Sequence, residues 1–84
     1  MQDEEARLKV VFYGRLTDLI GREVGLDAAD CSVAEIRRHL AANHPAAAEA
    51  LARSRALIGS AVVEDDRRVG AEEELEFLPP VSGG

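Results

Sequence analysis

Near the middle of the 84-residue chain stands SVAEIRRHL, residues 32–40, which carries the signals of a helix that packs on a sheet. In the capping-box pattern of Ser32 and Glu35, the serine hydroxyl accepts from the glutamate amide while the glutamate carboxylate accepts from the serine amide. The apolar residues that recur at spacings of three and four are Val33, Ile36 and Leu40, and the polar residues that fall mainly on the other faces are Arg37, Arg38 and His39. The segment is therefore predicted to be an amphipathic helix. Pro45 interrupts its pattern, and residues 46–53 favour a second, shorter helix.

Segments with the two-residue alternation of β-strands lie on both sides of this helix. The predicted strands cover residues 8–13, 22–26, 57–64 and 75–78, with turns at residues 65–66 and 70–73 around residues 67–69, and a short helical turn or loop at residues 15–20. The first and last strands are the most apolar, so we expect them to be adjacent and parallel at the centre of the sheet. Phe12 and Phe77 are expected to be the largest core residues. The fold is therefore predicted to be α+β, with one mixed sheet of four to five strands packed against one main helix plus a short helix.

The composition is that of a soluble globular domain with an acidic surface, because 46% of the residues are hydrophobic, 31% are charged, and the formal net charge is −6. No lysine or arginine cluster is interleaved with aromatic residues, which argues against a nucleic-acid partner and favours a basic protein surface. No apolar stretch has the length of a membrane span or a signal-peptide core, so we expect a cytoplasmic protein without a membrane partner. Cys31 is the only cysteine and forms neither an internal disulfide nor a metal site, so we expect it to act as a small, partly buried apolar residue.

The last strand runs into FLPPVSGG, residues 77–84, which places two stiff residues and then two small ones at the end of the sequence. Proline fixes φ and lacks an N–H group, so the pair stops strand pairing and holds the exit extended. Glycine lacks a Cβ atom, so the two glycines fit a slot too narrow for other residues and leave the terminal carboxylate open to attack or activation. The alternative interpretation is a frayed, glycine-rich terminus. We predict a flexible segment at residues 1–7, a folded domain at residues 8–80 and a mobile tail at residues 81–84.

Taken together, these segments resemble the ubiquitin-like β-grasp sulfur carriers, and among them the small subunits of molybdopterin synthase. The resemblance covers most of the chain. It is carried by LKVVFY (residues 8–13), LIG (19–21), SVAEIRRHL (32–40) and, most specifically, FLPPVSGG (77–84). Carriers of the thiamine pathway share the Gly-Gly ending but are usually shorter and lack the Pro-Pro pair.

The resemblance implies a function that needs no catalytic side chain, bound cofactor or metal in this chain. In the family, an activating enzyme uses ATP to adenylate the terminal carboxylate, here that of Gly84, and a sulfur donor converts it to a thiocarboxylate. The carrier then inserts its tail into the large subunit of molybdopterin synthase, where sulfur passes to cyclic pyranopterin monophosphate during molybdenum cofactor biosynthesis. The tail residues at the matching positions are Pro80, Val81, Ser82 and Gly83. The family also suggests an assembly of two small and two large subunits.

Family carriers dock through a hydrophobic patch on the open face of the sheet, and the matching positions here are Tyr13, Val62 and Leu78. Strand alternation agrees with this assignment. Tyr13 and Leu78 each follow a phenylalanine, so core phenylalanines would turn both of these neighbours outward.

Two departures from the family pattern leave alternative functions open. Ile58-Gly59 stands where relatives commonly have Val-Asn, and Ala71-Glu72-Glu73 stands where they have an Asp-Gly-Asp turn. A related carrier for another pathway, such as thiamine, cysteine or tRNA thiolation, is therefore one alternative. A ubiquitin-like protein modifier, which uses the same activated terminus, is another, and an interaction domain with an accidental Gly-Gly ending is a third.

Overall fold

Seven strands and three α-helices are seen in the part of the chain that the computed structural model describes, residues 8–27 and 30–80. The strands are β1 (Leu8–Phe12), β2 (Glu23–Leu26), β3 (Cys31–Ser32), β4 (Arg55–Ile58), β5 (Ala61–Val63), β6 (Arg68–Val69) and β7 (Glu74–Leu78). The helices are α1 (Arg15–Leu19), α2 (Val33–Asn43) and α3 (Ala48–Arg53), with a 3-10 turn at Pro45–Ala47 before α3. The predictions made for residues 1–7 and for the tail at residues 81–84 fall outside the described residues.

Five of the strands form one mixed sheet in the order β2-β1-β7-β4-β5. β1 runs parallel to β7, as predicted for the first and last strands, and every other neighbouring pair in this sheet is antiparallel. The remaining strands, β3 and β6, make a separate short antiparallel pair at the start of α2. A mixed sheet packed against one main helix is the β-grasp arrangement, and the predicted fold class is confirmed.

The core lies between one face of the sheet and the helices. Phe12 and Phe77 are buried there, with ring centroids 6.2 Å apart and ring planes inclined by 14°. α2 contributes the predicted apolar stripe, whose buried members are Val33, Ile36 and Leu40. The other buried apolar residues are Leu8, Val10, Leu16, Leu26, Ala47, Leu51, Ala56, Val69 and Leu75. Removal of these side chains from water is the main favourable contribution to folding.

The capping box predicted for α2 is present. The Glu35 amide donates to Ser32 Oγ at 3.1 Å, and the Ser32 amide donates to Glu35 Oε1 at 2.9 Å. Two amides that lack partners inside the helix are thereby satisfied. The helix ends at Asn43, and Pro45 begins the 3-10 turn that leads into the second, shorter helix.

The prediction of one continuous strand over residues 57–64 is wrong. The structure has two antiparallel strands there, β4 and β5, joined by the two-residue turn Gly59-Ser60, so that Ile58 pairs with Ala61. Both turn residues have positive φ, 60° for Gly59 and 72° for Ser60, which a type I′ hairpin turn requires. Apolar residues continue on both sides of the turn, so the hydrophobic pattern conceals the reversal of direction.

Candidate functional site

The segment that leads to the C-terminus leaves the sheet from a strand that is held on both sides. β7 pairs with β1 and with β4, and its residues Leu75 and Phe77 are fully buried. Pro79 and Pro80 follow directly, and neither offers an N–H group that would extend the pairing. Pro79 is half-buried and Pro80 is exposed. The site residues predicted beyond them, at positions 81–84, lie outside the described residues.

Arg37 lies outside the apolar stripe of α2, as predicted, and supports β7 from the helix side. Its side chain is only 17% exposed. The guanidinium carbon lies 5.1 Å from the centre of the Phe77 ring, a distance typical of a cation–π contact. The guanidinium also donates to Asp65 Oδ1 at 3.1 Å, to Ser54 Oγ at 3.3 Å and to the Leu51 carbonyl. One arginine therefore connects α2, α3 and the segment after β5 to the strand that carries the tail.

The turn before β7 is held by a bidentate ion pair. Arg67 Nη1 and Nη2 donate to the two carboxylate oxygens of Glu73 at 3.0 and 2.9 Å, and the Gly70 amide donates to Glu73 Oε1 at 2.9 Å. The hydrogen bonds from Arg67, and then the one from Gly70, lower the pKa of Glu73 from 4.5 to about 2. The predicted turn at residues 70–73 is therefore present, and a carboxylate side chain secures it.

The three residues predicted to contact a partner are all exposed on the sheet face opposite the core. The exposed fractions are 43% for Tyr13, 59% for Val62 and 44% for Leu78. Tyr13 and Leu78 are neighbours, because each directly follows one residue of a registered pair in the two central strands. Val62 lies on the edge strand β5, two strands from β7, which is about 10 Å at the usual strand spacing. The structure therefore brings the first two together and places Val62 at the sheet edge.

Two further apolar residues, Val11 and Leu57, lie on the same face and connect the predicted three. Leu57 lies opposite Val62 on one side and opposite Glu76 on the other. Val11 in turn lies opposite Glu76, so this row crosses four strands. Strand alternation alone identifies Val11 as outward-facing, whereas Leu57 belonged to the segment whose turn was not predicted. We call the surface formed by Val11, Tyr13, Leu57, Val62 and Leu78 the open face.

Charged residues surround and interrupt the open face. Glu76 lies in the middle of the row, and Arg55 lies opposite Leu78. Lys9 and Glu23 pair with each other at 3.3 Å near the β2 edge. Within residues 8–27 and 30–80, neither Glu76 nor Arg55 forms an ion pair.

Residues 8–27 and 30–80 contain no group of histidine, cysteine, aspartate or glutamate side chains arranged to hold a metal ion. Cys31 has a free thiol and is half-buried against the core, as expected for a small apolar residue. No described helix has the length and apolar character needed to cross a membrane.

Comparison with known proteins gives matches over nearly the whole chain. The sequence profile of the ThiS family matches residues 10–84. The chain is 32% identical over 80 residues to the molybdopterin synthase sulfur carrier subunit of Escherichia coli (strain K12), which covers 92% of this chain and 99% of that protein.

Solved structures with the same fold include small archaeal modifier protein 1 of H. volcanii, at 22% identity and a TM-score of 0.74, covering 90% of this chain and 99% of that one. A second is found in the complex of subunits 1 and 2 of the molybdopterin-converting factor from Helicobacter pylori 26695. It has 19% identity and a TM-score of 0.67, and covers 93% of this chain and 99% of that one. At these identities the likeness shows the fold.

Proposed function

The chain belongs to the ThiS family, and on that basis we propose that it is a sulfur carrier for molybdopterin biosynthesis. The carboxylate of Gly84 is adenylated, converted to a thiocarboxylate and used to deliver sulfur to cyclic pyranopterin monophosphate. The observation that carries this proposal is the 32% identity to the E. coli sulfur carrier subunit across nearly the full length of both chains.

The chemistry is consistent with a chain that supplies a terminus rather than catalytic side chains. A carboxylate is a poor electrophile. Attack of a carboxylate oxygen on the α-phosphorus of ATP, with release of pyrophosphate, gives an acyl adenylate, in which AMP is a good leaving group. A donor that supplies sulfur at the oxidation level of sulfide then attacks the acyl carbon through that sulfur, AMP leaves, and loss of a proton gives the thiocarboxylate of Gly84. In this proposal the activating enzyme binds ATP, and a separate donor supplies the sulfur.

The fold supports this role by holding the root of the tail. β7 is paired on both sides, and Pro79 and Pro80 end the pairing, so a fixed strand leads directly into the reactive segment. Residues 81–84 span roughly 13 Å when fully extended, which is long enough to enter a pocket of another protein. We assign insertion into that pocket to Pro80 and to the residues that follow it, Val81, Ser82 and Gly83.

The proposed partner is the large subunit of molybdopterin synthase, in an assembly of two small and two large subunits. Support comes from the H. pylori structure, in which a chain of the same fold is in complex with subunit 2. We assign the contact to the open face, whose exposed residues Tyr13 and Leu78 lie next to the exit of the tail. Clustered apolar side chains of this kind mark protein-binding surfaces.

The proposal is tested by changing only the end of the chain. Deletion of Gly84, or addition of one alanine after it, is expected to abolish molybdopterin formation in cells that depend on this protein. The substitution Arg38→Gln on the exposed surface of α2, which leaves the tail unchanged, is the control and should retain activity. Molybdopterin formation that survives both terminal changes would contradict the proposal.

The same activated terminus would also serve a protein modifier, in which Gly84 forms an amide with a lysine of a target. The two functions differ in their products. Branched peptides that end in the Val81-Ser82-Gly83-Gly84 sequence indicate a modifier, and thiolated products of another pathway indicate a different sulfur carrier. Either finding, together with unchanged molybdopterin formation in a deletion strain, would replace the proposed pathway.

A further inference from the structure

We infer that Gly14 is a positioning residue for the tail: it forms the seat of Pro79 and so sets the direction in which the chain leaves the sheet. The biological role of this seat rests on the proposed function, but the seat itself is defined by described residues alone. Gly14 directly follows the open-face residue Tyr13 and precedes α1.

The backbone of Gly14 adopts a conformation that is specific to glycine. Its φ is 61° and its ψ is −141°, a combination that is sterically closed to residues with a Cβ atom. Neighbouring hydrogen bonds hold it there, because the Gly14 carbonyl accepts from the Thr17 amide at 3.0 Å and also from the Thr17 hydroxyl. The position is therefore fixed in a conformation that costs free energy for any other residue.

The Pro79 ring also leaves no room for a side chain at position 14. A Cβ atom built on Gly14 would lie 3.0 Å from Pro79 Cγ and 3.6 Å from Pro79 Cδ. The shorter distance is well inside the usual separation of two carbon atoms. Gly14 thus provides the space into which the Pro79 ring fits.

Displacement of the Pro79 ring affects the backbone, because the ring includes backbone atoms. A proline ring contains its own backbone nitrogen and Cα, so Cγ can yield only as far as ring pucker allows, and any larger displacement moves the chain. Pro80 follows directly and its φ is fixed in the same way, so a rotation of the backbone at Pro79 also changes the orientation of Pro80.

Another glycine offers a matched control. Gly59 has a φ of 60°, close to that of Gly14, but nothing lies within 4 Å of the Cβ atom that a substitution would add. Gly14→Ala and Gly59→Ala therefore both place alanine at a positive φ, and only the first also presses on Pro79. The match is in φ alone, because Gly59 lies in a type I′ turn whereas Gly14 has a ψ of −141°. A difference between the two variants therefore combines backbone strain with the contact, and the double-substitution cycle below separates them.

The structural test measures the orientation of the tail root in the whole chain by NMR. Residual dipolar couplings of the Cα–Hα bonds of Pro79 and Pro80 are compared with those of β7 in the native chain, Gly14→Ala and Gly59→Ala. We expect Gly14→Ala to change the proline couplings while those of β7 stay constant, and Gly59→Ala to leave both unchanged. Unchanged proline couplings in folded Gly14→Ala would overturn the inference.

A double-substitution cycle separates the contact from backbone strain. Pro79→Ala removes the ring atoms that a Cβ at position 14 would meet, so adding Gly14→Ala to it should have a smaller effect than in the native background. For a direct contact we expect the two effects on the thiocarboxylate yield to differ by at least about threefold. Equal effects of Gly14→Ala in the native and Pro79→Ala backgrounds would show that Gly14 acts through its own backbone alone. That result would contradict a contact between position 14 and the Pro79 ring.

If Gly14→Ala does not fold, Pro79→Ala alone still decides the question. Removal of the ring empties the seat and also frees φ at position 79. The Pro80 coupling should therefore shrink as the Pro80 orientations broaden, and a Pro80 coupling identical to the native one would refute the inference. The two proposals also fail in different ways. Absence of any thiocarboxylate in the native protein would refute the proposed function, whereas the dipolar couplings would still measure whether Gly14 orients the tail.

Discussion

Phe12 and Phe77 face each other across the two central parallel strands, with ring centroids 6.2 Å apart. The residue that follows each phenylalanine, Tyr13 or Leu78, points to the opposite face and is exposed. One registered pair therefore anchors the tail-bearing strand in the core, and the following pair forms the part of the open face nearest to the tail. Core packing and surface exposure are thus separated by a single residue step along the chain.

Phe77→Ala is expected to destabilise the domain by about 3–5 kcal/mol, because it leaves a cavity between the sheet and α2 and removes the ring beneath Arg37. Urea unfolding followed by circular dichroism measures the change. Leu78→Ala, one residue further along the same strand, should cost no more than about 1 kcal/mol. Similar losses for both substitutions would contradict the assignment of Phe77 to the core and Leu78 to the surface.

Arg37→Ala is expected to lower the free energy of unfolding by about 1–3 kcal/mol, because Ser54 Oγ and the Leu51 carbonyl lose the charged donor of their hydrogen bonds. Arg38→Ala removes an exposed arginine from the same helix and should change stability by less than about 0.5 kcal/mol. Arg37→Lys should fall between them, since lysine keeps the charge but lacks the planar fork. Equal effects at positions 37 and 38 would show that the observed contacts contribute nothing to stability.

Glu73 is expected to make stability depend on acid pH. Its pKa is about 2 in the folded protein and 4.5 without these contacts, so between these values the unfolded chain holds more protons. The stabilisation is therefore complete above about pH 4.5 and is lost as the pH falls towards 2. Glu73→Gln should flatten this dependence when urea midpoints are compared from neutral pH to about pH 3.

Two other glutamates serve as references for that experiment. The pKa of Glu35 is also lowered, chiefly by the hydrogen bond from the Ser32 amide, so some acid dependence should remain in the Glu73 variant. Glu72→Gln changes the exposed neighbour and removes the same charge without touching Arg67. A pH profile that is flattened equally by both substitutions would refute a specific role for the Glu73 ion pair.

Leu78→Asp is expected to weaken binding of the proposed large subunit by at least about tenfold, because it places a charge in the apolar part of the open face. Arg38→Gln is the control, since it changes the net charge by the same amount on the exposed surface of α2. Isothermal titration calorimetry with the purified large subunit measures both affinities. If Arg38→Gln weakened binding as much as Leu78→Asp, the contact surface would have to be assigned elsewhere.

Local signals allowed most of the fold to be predicted from the sequence. The capping box at Ser32 and Glu35 located the start of α2 because both of its hydrogen bonds lie within one helical turn. The alternation in residues 8–13 and 75–78 located the central strands and indicated that Tyr13 and Leu78 face outward. The turn at Gly59-Ser60 was missed, because a two-residue reversal inside a continuous apolar run leaves the hydrophobic pattern almost unchanged.

The interactions that join distant segments could not be predicted in this way. Arg37 looks like its neighbour Arg38 in sequence, and only the packing of α2 against α3 and β7 turns its guanidinium inward. Gly14 likewise carries no sign that its partner is Pro79, 65 positions later. Such contacts depend on the parallel pairing of the first and last strands, which brings the ends of β1 and β7 to the same edge of the domain.

Intact mass spectrometry of the protein purified from its own cells would show whether Gly84 carries sulfur. We expect a fraction whose mass exceeds that of the free acid by one sulfur-for-oxygen exchange, located by fragmentation at Gly84 and absent when Gly84 is deleted. Fragmentation that places the added mass elsewhere, or a terminus found only as the free acid while molybdopterin is being made, would contradict the proposed function.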